Sequence, residues 1–213
     1  MSTIAKIPSS NENIEMIRQF YYDQKLSMRE IAERIGVSLD AILSFMRKND
    51  LKRRTYVEEA VTRFARKPYS FAPLYTLARD QESLKQAAVM LYWCEGGKAE
   101  SLNGIDFANS DQRMVCVFLR FLREICCIDE SRLRVYLYCY SNQKPQELIK
   151  FWSDVTKIPP AQFSKPYVRE DFNLLKTGKM SKGMVHIRYS DKKLLQLMRQ
   201  WIESYKEKFA PIV

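Results

Sequence analysis

Apolar positions along this chain recur with two different periods, and the change of period divides it. From residue 13 they return every three to four residues. Ile14, Ile17 and Phe20 predict a helix over 13–24. The next stretch, "LSMREIAERIGVSLDAILSFMRKNDLKRR", predicts two more. Ser27 and Glu30 have the spacing of a capping box, so a helix opens there. Gly36 ends it, and Ser38 caps the helix that follows. Ile31, Ile35, Val37, Ile42 and Phe45 fall where two helices crossing near a right angle need core residues. Ala32 is small where the second helix passes over the first.

Between residues 55 and 80 the pattern lapses. Pro68 and Pro73 stop any long helix, leaving room for a short one over 57–66. This division predicts a first domain at 1–54, a linker at 55–80 and a larger domain at 81–213. The larger domain opens with the apolar run "QAAVMLYWCEGGKAE", residues 86–100. Three later segments each read as strand, polar turn and helix: "GIDFANSDQRMVCVFLRFLREI", "SRLRVYLYCYSNQKPQELIKFWSDV" and "GMVHIRYSDKKLLQLMRQWIESY". One further short strand fits 98–102. Period-two alternation sorts the strand faces. Leu133, Val135, Leu137 and Cys139 point one way, and Arg132, Arg134, Tyr136, Tyr138 and Tyr140 the other. Val185, Ile187 and Tyr189 oppose His186 and Arg188. Helices are expected to cover the apolar face, leaving a face of arginine and tyrosine open. That face suits the DNA backbone and groove, or is an ordinary solvated sheet face.

Composition narrows the classes. The chain has 213 residues, 46% of them hydrophobic, which is enough for packed cores. No stretch is long and apolar enough for a membrane span, and the first residues lack a secretory apolar segment. The five cysteines form no C-x-x-C pair and His186 is the single histidine, so a zinc site is not expected. Buried thiols in a reducing cytoplasm are the expectation instead. The net charge of +10 is shared by both halves and fits a polyanionic partner. There is no Gly-x-Ser-x-Gly and no phosphate-binding glycine loop.

The spacing of residues 27–48 resembles the helix-turn-helix family. The resemblance implies that the second helix enters a major groove. Its outward residues are Ser38, Leu39, Asp40, Leu43, Ser44, Arg47 and Lys48. Asp40 suits a cytosine amine better than a phosphate. Lys52, Arg53 and Arg54 in the tail suit phosphates or the minor groove. The alternative is a trihelical packing unit that touches no DNA.

An apolar helix ending in Glu95 and Gly96–Gly97, followed by alternating strands and helices, resembles the LAGLIDADG homing endonuclease family over about residues 80–206. The implied fold is α+β: an N-terminal trihelical helix-turn-helix, then a LAGLIDADG-like domain whose antiparallel sheet forms a saddle covered by helices on one face. The resemblance implies a homodimer packed through Ala87, Ala88, Leu91 and Cys94, with Arg132, Arg134, Tyr136, Tyr138, His186 and Arg188 on DNA. It makes Glu95 the catalytic, Mg²⁺-binding acid. The alternative for Glu95 is a helix-terminal acid bonded to nearby backbone or to a lysine. The segment "KAESLNG", 98–104, is short for the DNA-reading hairpin of a typical member. The resulting expectation is a sequence-specific double-stranded DNA-binding protein of the kind that regulates transcription. A Mg²⁺-dependent endonuclease is the alternative, and a scaffold without DNA comes third. The basic insertion 159–183 is read as a DNA-contacting loop or a surface hairpin.

Overall fold

A computed structural model describes residues 7–170 and 180–210, and the chain divides into two units, 1–68 and 69–213. The described residues contain eight α-helices and one four-stranded sheet, a mixed α+β architecture.

The first unit is helical. Helix α1 (Asn11–Arg18) is capped by Ser10 and runs on into a π-helical turn, Gln19–Asp23. Helix α2 (Met28–Ile35) opens with the expected capping box: the Ser27 backbone N–H donates to Glu30 at 2.7 Å, and the Glu30 N–H donates to Ser27 Oγ at 3.2 Å. Gly36 ends it in the left-handed region at φ 73°, where a side chain would be strained. Ser38 Oγ then caps α3 (Leu39–Lys48) by accepting from Ala41 at 3.1 Å. Ile17, Tyr21, Ile31, Ala32, Ile42, Phe45, Met46 and Leu51 form the core, with Ile35 and Val37 packed at its rim.

A second capping box, Thr55 with Glu58, opens α4 (Tyr56–Arg66). This helix was expected within a linker. It is tied instead to the first unit, where Arg66 makes a fork of 2.8 and 2.9 Å on Glu30. The Arg66 hydrogen bonds, with that from the Ser27 backbone, hold the Glu30 carboxyl at about 2. The division between units accordingly falls at 68/69 and not near 80.

The second unit is built on the sheet. Its elements are α5 (Arg79–Glu95), β1 (Ile105–Asn109), α6 (Gln112–Glu124), β2 (Leu133–Tyr140), α7 (Pro145–Thr156), β3 (Tyr167–Arg169), β4 (Met184–Tyr189) and α8 (Lys192–Phe209). The strand order is β1-β4-β2-β3. The β1–β4 and β4–β2 pairs are antiparallel, as expected, but β3 runs parallel to β2. Helix α7 crosses over between them, and such a crossover returns the chain in the same direction. Residues 98–102 form a turn and no strand. Of the basic insertion, residues 171–179 lie outside the described residues.

Helices α5 to α8 all contribute to one apolar cluster with Ile105, Phe107, Leu133, Val135, Leu137, Val185 and Ile187. Phe118 on α6 is its hinge pin. Its ring stacks on Phe107 of β1 at 4.3 Å and on Tyr92 of α5 at 5.6 Å. Burial pushes the Tyr92 hydroxyl up to about 12. Gly96 follows, with extended backbone; a Cβ there would strike the Tyr92 carbonyl oxygen and ring. The chain can therefore leave α5 and bridge directly to Phe107.

Phe118→Ala should cost about 3–5 kcal/mol, since it empties the stack joining two helices to the sheet. Urea denaturation measures the loss; a loss below about 1 kcal/mol would show that the stack does not organise the core.

Candidate nucleic-acid interface

Strand alternation decides what the sheet shows to solvent. Every second residue of β2 and β4 enters the apolar cluster, so the intervening residues must lie on the opposite face. Arg134 is exposed there, and Tyr136, Tyr138, His186 and Arg188 are half-buried. Strand β3 adds Tyr167, which is exposed. The rings form a row: Tyr138 lies 5.3 Å from Tyr167 and 4.7 Å from His186. The Arg188 guanidinium sits 4.2 Å over Tyr136. Tyr140, expected on this face, is buried, with Arg169 over its ring at 5.7 Å.

At the centre lies a residue that the sequence reading missed. Asp106 on β1 takes Nδ1 of His186 at 2.8 Å on one oxygen and Nε of Arg188 at 2.9 Å on the other. Its register partner across β1 and β4 is Arg188 itself. Burial alone would raise the Asp106 carboxyl. The hydrogen bond from His186, with the charges of His186 and Arg188, outweighs it and holds the group below the usual aspartate range. An acid inside the apolar strand "IDFAN" was the available signal, because a carboxylate on a strand needs a cation opposite.

Arg132 lies in a short 3₁₀ turn before β2, not within the strand. It donates to the Ser190 carbonyl at 2.5 Å. Arg134 donates to the carbonyls of Ser131 and Leu133, each at 2.7 Å. Together with Asp106, Tyr136 and Arg188 these two arginines line a depression of about 310 Å³.

Glu95 is exposed at the last turn of α5 and makes no hydrogen bond or ion pair among the described residues. The nearby Lys98 donates to the Cys94 carbonyl at 3.3 Å, so neither backbone nor lysine occupies the Glu95 carboxylate. A negative charge here opposes the helix dipole. Among the described residues no group of three or more His, Cys, Asp and Glu side chains is placed to hold a metal ion. Glu95 is therefore not part of such a group among the described residues.

The expected dimer stripe divides. Ala87 and Cys94 are exposed and Leu91 is half-buried, but Ala88 is fully buried in the unit's own core. A helix keeps i and i+1 on different faces, so Ala88 cannot share the outward stripe of Ala87. Cys94 and Cys127 are exposed, against the expectation of buried thiols.

In the first unit, Asp40, Ser44, Arg47 and Lys48 project from α3 into solvent, while Leu39 and Leu43 are half-buried. Ser38 is exposed, but its hydroxyl is spent on the cap. A groove of about 460 Å³ runs between α3 and residues 7–9, lined by Asp40, Ser44 and Lys48 among others. Lys52 and Arg53 are exposed. Arg54, unlike its neighbours, is held by contacts within the first unit. Its guanidinium covers the Tyr21 ring at 4.1 Å, donates to the Leu26 carbonyl and pairs with Glu59 at 2.9 Å.

Comparisons with protein-family models, with curated proteins and with solved structures return no match for this chain. Among the described residues, no helix is long and apolar enough to cross a membrane.

The folded-state pKa of Asp106 lies below its unfolded value, so its stabilisation is present above the usual aspartate range and fades as pH falls through the folded value. Asp106→Asn should cost about 1–3 kcal/mol at pH 7, and the gap from wild type should close on acidification. Thermal melts across acid to neutral pH test this; a gap independent of pH would mean that Asp106 is not held ionised by its neighbours.

Proposed function

We propose that the chain is a sequence-specific double-stranded DNA-binding protein, of the kind that regulates transcription, with a helix-turn-helix in its first unit and a LAGLIDADG-like second unit. The observation that carries this reading is the uncovered sheet face. One side of the sheet is packed under helices, and the other carries arginines, a histidine and a row of tyrosines, with no covering element among the described residues of the second unit. Cations on a surface of this kind meet phosphates, and side chains between them reach base edges. Helix α3, with exposed Arg47 and Lys48, supports the reading independently.

A homodimer is part of the proposal. Ala87 and Cys94 are small and exposed on α5, with Leu91 between them packed partly on the core and half-exposed Met90 beside it. Ala88 is no longer part of the dimer stripe.

Cleavage is the second reading, and the exposed, unpartnered Glu95 favours it. It stands at the point where α5 passes into the bridge beside β1. A dimer would bring two such carboxylates, the hard oxygen ligands that Mg²⁺ prefers. A randomised duplex pool, selected by binding and then incubated with Mg²⁺, separates the readings. Selection of one sequence without cutting fits the regulator. Cutting that needs both Mg²⁺ and Glu95, and is lost in Glu95→Gln, makes the chain an endonuclease. No selection at all removes both.

The tail residues give a sharper contrast. Arg53→Ala should weaken duplex binding and lower the salt slope by about 1. Arg54→Ala should lower stability by about 1–3 kcal/mol through lost internal contacts, with the salt slope unchanged. Anisotropy titrations at several salt concentrations, beside denaturation curves, check the pair; equal effects on the salt slope would return Arg54 to the DNA-contact set.

A further inference from the structure

We propose that Arg188 reads a guanine in the major groove and that Asp106 is the residue that positions it. This rests on the DNA-binding reading and assigns a specificity residue within that face.

The arginines around the depression do not have equal duties. Among the described residues Arg134 hydrogen-bonds to carbonyl oxygens and to no carboxylate, and Arg132 hydrogen-bonds to the Ser190 carbonyl with Asp129 as its nearby acid, so neither is held on a carboxylate by a hydrogen bond. Arg188 is faced by a carboxylate at 2.9 Å. A phosphate approaching Arg188 meets the Asp106 charge as well, so the pair is a poor anchor for the backbone. A guanine edge carries no net charge and offers two acceptors, O6 and N7, to a bidentate arginine.

The geometry supplies the fork such a contact needs. Asp106 engages Arg188 through Nε, leaving both terminal amino groups without a hydrogen bond among the described residues. Tyr136 supports the guanidinium plane from one side at 4.2 Å. The Asp106 carboxylate cannot swing away, because His186 holds its second oxygen at 2.8 Å. Exposure follows the same division: the Arg188 side chain is 39% accessible and that of Asp106 14%. An arginine fixed at one edge and along one face has little rotamer freedom left to lose on binding. Arg134, in register with Arg188 across β2 and β4, is placed to supply the neighbouring phosphate contact.

The test uses the full chain and the duplex it selects from a random pool, with each guanine replaced in turn by 7-deazaguanine, which lacks the N7 acceptor. Wild type should lose about 10- to 100-fold at one guanine, and Arg188→Ala should bind the parent and that modified duplex equally. The salt slope of Arg188→Ala should match wild type. Asp106→Asn should lose part of the preference at the same guanine, and Arg188→Lys should not restore it, since an ammonium has no fork. Circular dichroism of each variant confirms folding, and the 7-deaza scan on wild type needs no variant at all. No sensitive guanine, or an Arg188→Ala loss that is uniform across sequences with a salt slope lower by about 1, overturns the assignment while leaving DNA binding intact. A folded wild type that binds no duplex overturns the parent reading and this one together.

Discussion

All four helices of the second unit bury their apolar faces against the same side of one sheet. The constraint behind this is the two-residue period of a strand. Each residue that enters the core obliges its neighbour to face the other way. With Leu133, Val135, Leu137, Val185 and Ile187 committed to the core, the placement of Arg134, Tyr136, Tyr138, His186 and Arg188 is not a separate choice. The core therefore creates the candidate interface. The aromatic stack of Tyr92, Phe118 and Phe107 sets the rest, because it fixes where α5 ends and hence where Glu95 is displayed.

An open face of this composition has its own problem. Cations and carboxylates held half-buried on a sheet must be paired or remain wet. Asp106 solves this for Arg188 on one oxygen, and its other oxygen is bonded to His186 Nδ1. Arg134, which hydrogen-bonds to carbonyls and to no carboxylate among the described residues, keeps the face electropositive. Neutralised and unneutralised cations thus sit side by side. Positioning on a phosphate backbone and discrimination between bases require that same difference. The first unit uses another solution: Arg54 is covered by Tyr21 and paired with Glu59, and the solvent-facing cations lie at Arg47, Lys48, Lys52 and Arg53.

Local signals in the sequence carried much of this. The Ser27–Glu30 capping box, the Ser38 cap, the glycine at 36 and the alternation over 133–139 depend on neighbours within a few residues, and each has its expected form in the structure. What was missed depends on distant partners. Asp106 and Arg188 lie 82 residues apart and meet only when β1 and β4 pair. Arg54 reads as part of the basic run "LKRR", yet its environment is set by Tyr21, 33 positions earlier. The parallel strand β3 has three residues, too few to show a period. Ala88 and Ala87 are adjacent small residues, and which one faces the core follows from how α5 rolls onto α6 and α8. The role proposed for Glu95 is of another kind, since it rests on resemblance and a partner copy.

The central claim is that duplex DNA lies on the open sheet face. It is tested most directly by nuclear magnetic resonance of the full chain, titrated with its selected duplex, following backbone amides and arginine side chains. The account predicts the largest shifts at Asp106, Arg134, Tyr136, Tyr138, His186 and Arg188, with the outer surfaces of α6 and α7 unchanged. Shifts concentrated on those helices, or confined to the first unit, would contradict it.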